Sequence, residues 1–295
     1  MLNRRFTGII ASLLLLPAAA CGAPSKPAAP AAAEKPFDAK AVLAASTSGI
    51  QAGDYTFRFT RPGNDVASGT VHRPSRSIGM KMTMKLDEET SAALDLRVIG
   101  PKRYQRMKID AATLATLRKQ KKMLTELGRP NNPKVKEALA KVNSGLDTFG
   151  GDHWNLVDKS KIKDSSLMEY DVDVDRPDVT GAGALVGVAA TAAGDKTSIK
   201  GTLDATRMTG AEELINKETF KDVPLTTAEA VPFVATLDAD GRMTKLAMEL
   251  PAAEDHPAGT WTVEFTGYGA APAQQAPSAR EVKEATPEMY DMFNE

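Results

Sequence analysis

The feature that most narrows what this chain can fold into is a run of strict alternation. Ile78, Met80, Met82, Met84 and Leu86 occupy every second position, with small or polar residues between them. Side chains of a strand point alternately to its two faces, so a period of two gives one apolar face and one wet face. The same period recurs where Tyr55, Phe57 and Phe59 alternate with Thr56, Arg58 and Thr60, and again at Leu94, Leu96 and Val98. A Pro62-Gly63-Asn64-Asp65 turn leads from the first run into Val66 to Arg73, and Lys102 to Lys108 carries Tyr104 into a fifth run. Successive strands joined by short polar turns describe an antiparallel meander.

The middle of the chain changes period. Ala111 to Leu127 and Lys134 to Leu146 are rich in Ala, Leu, Lys and Glu at helical spacing, separated by the breaker run Gly128-Arg129-Pro130-Asn131-Asn132-Pro133. Ala39 to Ala45 predicts a short opening helix, and Ala211 to Thr219 predicts another. Trp154 to Val157 and Ser198 to Ala205 read as strands, whereas the small residues of Pro177 to Gly194 specify no single element. The last third returns to β: Val231 to Leu237, an Asp238-Ala239-Asp240-Gly241 turn, Arg242 to Leu250, then Thr260 to Thr266. From residue 270 the tail predicts either a last short strand with a terminal amphipathic turn or loose chain. Strands, then helices, then strands argue an α+β fold with helices laid on one face of an antiparallel sheet.

The N-terminal region points to an address. Arg4 and Arg5 precede the apolar stretch Phe6 to Leu16, which ends in Pro17-Ala18-Ala19-Ala20 before Cys21. This is the layout of an export signal, and its apolar core falls well short of the roughly 20 residues a membrane-crossing helix needs. Cys21 is the one cysteine of the chain and follows three small residues, as in the box cut by the lipoprotein signal peptidase. An ordinary signal peptide that happens to precede a cysteine is the plainer alternative. Lipidation explains why a thiol would stand alone in an exported protein. The expected organisation is therefore a signal peptide over 1–20, and a lipidated cysteine with an Ala/Pro-rich tether over 21–37. A single domain follows over 38–295. At about 3.1 Å per residue the stretch Gly22 to Pro36 would reach roughly 45 Å.

Several segments together resemble a known family. Lys200-Gly201-Thr202-Leu203-Asp204-Ala205-Thr206, the run Val231 to Arg242, Trp261 to Tyr268 and Ala276-Pro277 look like actinobacterial lipoproteins of the mycobacterial LppX and LprG group. That group in turn resembles the LolA and LolB carriers. The likeness covers most of the chain in layout, from about Asp38 to Pro277, through soft strand and hairpin patterns. It implies a strongly curved antiparallel half-barrel whose concave face is covered by helices, with acyl chains held between. On that implication the cavity lining would be Tyr55, Phe57, Phe59, Ile78, Met80, Met82, Met84, Leu94, Leu96 and Val98. The chain has 12 methionines against 5% aromatics, and flexible thioethers suit irregular apolar surfaces as well as ordinary cores.

Charge supplies a second candidate. Between Arg97 and Lys122 the cations Arg97, Lys102, Arg103, Arg106, Lys108, Arg118, Lys119, Lys121 and Lys122 face only Asp110. Lys102, Arg103, Arg106 and Lys108 are the candidate contacts for an anionic headgroup; a solvated edge that discourages sheet association is the bland alternative.

Other constellations carry little. Gly181-Ala182-Gly183-Ala184-Leu185-Val186-Gly187 imitates a dinucleotide loop but follows Pro177 and Asp178 rather than a strand. His72, His153 and His256 have no paired ligand spacing, and Asp171, Asp173 and Asp175 suggest a solvated strand face rather than a calcium loop. The sequence has no catalytic signature, so neither an enzyme nor a cofactor is expected, and nucleic acid is not an expected partner. The expectation is an extracytoplasmic, membrane-anchored lipoprotein that binds a lipid or glycolipid. A closed-core envelope lipoprotein acting as an interaction or regulatory module is the alternative.

Overall fold

The computed structural model describes residues 36–62, 66–85, 90–127, 132–162, 172–209, 213–253 and 257–294. The chain divides into two units, Met1–Pro36 and Phe37–Glu295, and every element below belongs to the second. Cys21, the export signal and the tether lie outside the described residues, as do Leu86, Asp171 and His256.

Tyr55, Phe57 and Phe59 share one face of strand β1 (Asp54–Thr60), with Thr56 and Arg58 on the other, as alternation requires. The next four strands follow as a meander: β2 (Val66–His72), β3 (Ser77–Lys85), β4 (Ser91–Ile99) and β5 (Lys102–Ile109). Register carries the apolar face across them, Phe57 opposite Gly69, Gly69 opposite Met80, and Met80 opposite Leu96. Strand β6 (Trp154–Val157) pairs with β5 after the helical excursion of α3 (Ala111–Glu126) and α4 (Pro133–Phe149).

The second half builds β7 (Ala189–Gly194), β8 (Ser198–Leu203), β9 (Val231–Leu237), β10 (Met243–Leu250) and β11 (Gly259–Thr266). The halves join where β1 pairs with β11, with Phe57 opposite Phe265 and Phe59 opposite Val263. Strand β12 (Val282–Glu284) completes a sheet that has twelve strands among the described residues and stays open, with β12 and β7 at its edges. The fold is α+β.

Three sequence expectations are corrected. The sheet is mixed rather than wholly antiparallel, because β12 runs parallel to β6. After β11 the chain crosses the polar face as a strap, and it arrives at β6 in the same direction as that strand. Gly269 N donates to Asp54 O, Gln274 N to Ser77 Oγ at 3.0 Å, and Arg97 Nη1 to Gln275 O at 3.0 Å.

The helix predicted over 211–219 does not form across its described part. Leu214 and Ile215 donate their amides to the carbonyls of Val179 and Thr180, and Asn216 starts a 3-10 turn at Lys217–Phe220. A distant extended segment thus offered the backbone bonds that a helix would have made internally. Around Asp173 and Asp175 the chain turns instead of forming a strand: Asp175 N donates to Asp173 Oδ1, and Val172 and Val174 are buried.

The remaining helices are short. They are α1 (Ala39–Ala45), capped by the Asp38 carboxylate on Ala41 N, α2 (Ser48–Ala52), α5 (Ala182–Gly187), α6 (Leu225–Ala228) and α7 (Pro287–Phe293). Leu43, Ile50 and Leu185 from α1, α2 and α5 join the same core as the apolar sheet face. The small-residue stretch 177–194 resolves into α5 and β7. Gly181 explains part of its composition: its φ is +80°, and a Cβ there would strike the carbonyl of Ile215.

Candidate functional site

The nominated lining residues come together. Tyr55, Phe57, Phe59, Ile78, Met80, Met82, Leu94, Leu96 and Val98 belong to one core cluster, and none is more than 8% exposed. Met84 pairs through its backbone with Ala92, and its side chain lies outside the described residues. A side chain lining a cavity wide enough for water would keep accessible area. These residues instead meet packed protein atoms, as in an ordinary interior.

The face is larger than the nominated set. Across β11, β10, β9 and β8 it continues through Val263, Leu246, Ala235 and Ile199, each opposite the next in register. The same alternation in Val231 to Leu237 could have placed the second half of the face. Ring contacts mark the seam between the halves: Tyr55 meets Phe265 edge-on at 5.6 Å between centroids, and Phe59 meets Trp261 at 5.6 Å.

Segments of low regularity cover this face. Val172, Val174 and Val179 precede α5, and Met208, Leu214, Ile215, Phe220 and Val223 lie between β8 and α6, all within the main core. One side-chain bond ties sheet to cover, Tyr55 Oη donating to Pro177 O at 2.6 Å. Burial, and next the negative charge of Asp178, raise the Tyr55 pKa well above an ordinary phenol, so the hydroxyl remains a donor. Asp178 in turn organises the entry to α5, where Oδ1 accepts from Thr180 Oγ1 at 2.8 Å and Oδ2 from Gly183 N at 2.6 Å.

Toward β5 and β6 the same face becomes polar. Val98 stands opposite Arg103, and Leu96 opposite Gln105, which stands opposite Asn155. Arg103, Gln105 and Asn155 are all buried. Gln105 Nε2 donates to Met107 Sδ at 3.1 Å, and Gln105 Oε1 has no partner among the described residues.

The four nominated headgroup contacts therefore do not form one patch. Arg103 lies on the core face, while Lys102, Arg106 and Lys108 lie on the opposite one, because neighbours on a strand point to opposite faces. Arg106 Nη2 donates to Asp95 Oδ2 at 2.6 Å, and its guanidinium lies over the Trp154 ring at 4.6 Å. Arg97 lies over the same ring at 4.5 Å. This tryptophan with two arginines was hidden from the sequence, since Trp154 is separated from both cations by the helical hairpin. Only Lys102 and Lys108 of the four remain fully displayed.

Two grooves open on the polar face. One, of about 510 Å³, runs beside Lys81, Asp95, Arg106 and Lys108. The other, of about 240 Å³, lies against Gln274 of the strap, whose side chain packs directly over Gly79. Of the histidines, His72 Nδ1 is 2.6 Å from Ser75 Oγ, and Asp175 is held by the Arg76 guanidinium at 2.8 and 3.0 Å. Among the described residues, no helix is long and apolar enough to cross a membrane. Compared with known proteins, the chain matches no family model, no curated protein and no solved structure.

Proposed function

We propose that this chain is an extracytoplasmic lipoprotein, anchored through a lipid on Cys21, whose body takes an acyl chain between its apolar sheet face and the segments covering it. On this reading the sheet is a curved half-barrel with the covering segments on its concave side, as in the LppX and LprG group and the LolA carriers. The observation that carries the reading is the contrast between face and cover. The face is continuous from Ile199 to Met82, whereas its cover consists of five- to seven-residue helices and irregular chain. Helices that short hold little structure of their own and stay in place through packing. Such a cover can part from the sheet without breaking the strand ladder. Met80, Met82, Met107 and Met248 on the face supply deformable contacts for an alkyl chain.

The test is native mass spectrometry of the protein purified from its envelope, followed by titration with a fluorescent fatty acid. A co-purified acyl lipid at one per chain, or saturable uptake, is the expected result. Empty protein with no uptake overturns the reading. For the anchor, Cys21→Ser is expected to move the protein out of the membrane fraction and remove the acyl mass from its N-terminal peptide.

The dense packing of the nominated lining favours a second reading. With those residues at most 8% exposed, a closed-core envelope protein that works through its surface is the function that remains if no lipid is taken up.

A further inference from the structure

Helices α3 and α4 pack on each other more than on the body. At the base, Leu114, Leu117, Leu146 and Phe149 gather against Ala92 and Ile109 at the ends of β4 and β5. Beyond Leu117, α3 has no fully buried residue, and α4 has none before Thr148. Outward from the base the hairpin is therefore little covered, and its apolar residues Leu124, Val135, Leu139 and Val142 are only half-buried.

The outer end combines charge with apolar surface. Arg118, Lys119, Lys121 and Lys122 follow one another on α3 against the single acid Glu126, which lies 3.8 Å from Lys122. Met123 is 54% exposed and Leu127 is 60% exposed. They are four residues apart, so they share one helix face, with Lys119 one turn before Met123. Lys119 and Lys122 flank Met123 on the exposed side of α3, whereas Arg118 and Lys121 turn toward α4 and line, with Asp147 and Asp152, a groove of about 530 Å³; the exposed side thus sets flexible ammonium groups beside two apolar side chains. It matches a layer of anionic headgroups above hydrocarbon, where cations meet phosphate and the apolar tips enter below.

We infer that the α3–α4 hairpin is a membrane-docking element that inserts Met123 and Leu127 into the surface of an anionic phospholipid bilayer. Placement in the fold is consistent with this role. The hairpin leaves the sheet after β5, whereas α1, which follows the tether, packs against β7 at the far edge. The two points are separated by nine strand spacings, roughly 40 Å along the sheet. The hairpin's affinity for lipid does not require that the core hold a ligand.

Sedimentation of the body Phe37–Glu295, which contains the whole core and lacks the proposed lipid anchor at Cys21, with vesicles of phosphatidylglycerol or phosphatidylcholine tests the inference. Binding to phosphatidylglycerol and not to phosphatidylcholine is expected. The triple variant Arg118→Glu, Lys119→Glu, Lys121→Glu is expected to weaken it at least about tenfold. The double variant Met123→Ser, Leu127→Ser is expected to weaken binding and to make the remainder fully salt-sensitive. Unchanged thermal melting of both variants shows that the body is intact. No wild-type binding to phosphatidylglycerol, equal binding of either variant, or equal binding to both lipids overturns it. Fatty-acid uptake measured on the same samples reports separately on the core.

Discussion

Tyr55 donates its hydroxyl to the carbonyl of Pro177 at 2.6 Å, joining a residue of the first strand to one 122 positions later. The bond is buried and links the sheet to the segment that enters α5. Tyr55→Phe keeps the ring contacts with Phe265 and leaves the buried Pro177 carbonyl with the Val179 amide as its remaining donor. The expected cost is about 1–2 kcal/mol in urea unfolding. If the cover parts from the sheet to admit a chain, the same variant takes up fluorescent fatty acid faster than wild type.

The same tyrosine gives a pH dependence. Its folded pKa is raised, by burial first and then by Asp178, so the folded state holds the proton more tightly than the unfolded chain. That contribution is complete below the unfolded phenol value, about 10, and is lost as pH rises toward the folded value. Unfolding midpoints measured from pH 8 to 11 are expected to fall above about pH 10. The fall is expected to be shallower in Tyr55→Phe. Burial also raises Tyr268, whose hydroxyl donates to Met243 O at 2.6 Å, so the variant is not expected to abolish the fall.

Gly181→Ala is expected to destabilise the body by about 3 kcal/mol. The new Cβ would have to sit against the carbonyl of Ile215 at a left-handed backbone position. Gly187, where a Cβ meets nothing within 4 Å, serves as the control, and Gly187→Ala is expected to be neutral or mildly stabilising in thermal melts.

Leu96→Ala removes a side chain that is 2% exposed at the centre of the apolar face, and an unfolding cost of about 3 kcal/mol is expected. On the acyl-chain reading the vacated volume lies on the ligand's path. Tighter fatty-acid binding is then expected from a less stable protein, a pairing that a closed core would not produce.

Arg97 holds the strap through Gln275 O while lying over Trp154. Arg97→Ala is expected to speed tryptic cleavage at Arg280, on the exposed turn before β12, with little change in the melting of the rest. Cleavage at the wild-type rate would show that the strap is held by Gln274 and Asp54 alone.

The sequence by itself determined the strands and which of their residues are apolar, because period two is a local property of the backbone. Tyr55 to Phe59, Ile78 to Met82 and Leu94 to Val98 fall where alternation puts them, and Asp110 and Asn132 cap the two long helices as their side chains allow. Tertiary structure alone decided what depends on distant partners. Leu214 and Ile215 left the helix because Val179 and Thr180 offered carbonyls, and β12 became parallel because the strap had crossed the sheet. Arg103 turned inward while Lys102 and Arg106 turned outward, so a basic run continuous in sequence is divided between two faces. Whether the apolar face is a lining or a filled core was likewise beyond alternation. That depends on the volume of the chain folded over it: Val174 and Ile215 come from segments whose sequence pointed to a strand and a helix that do not form, and Leu185 from one that specified no single element.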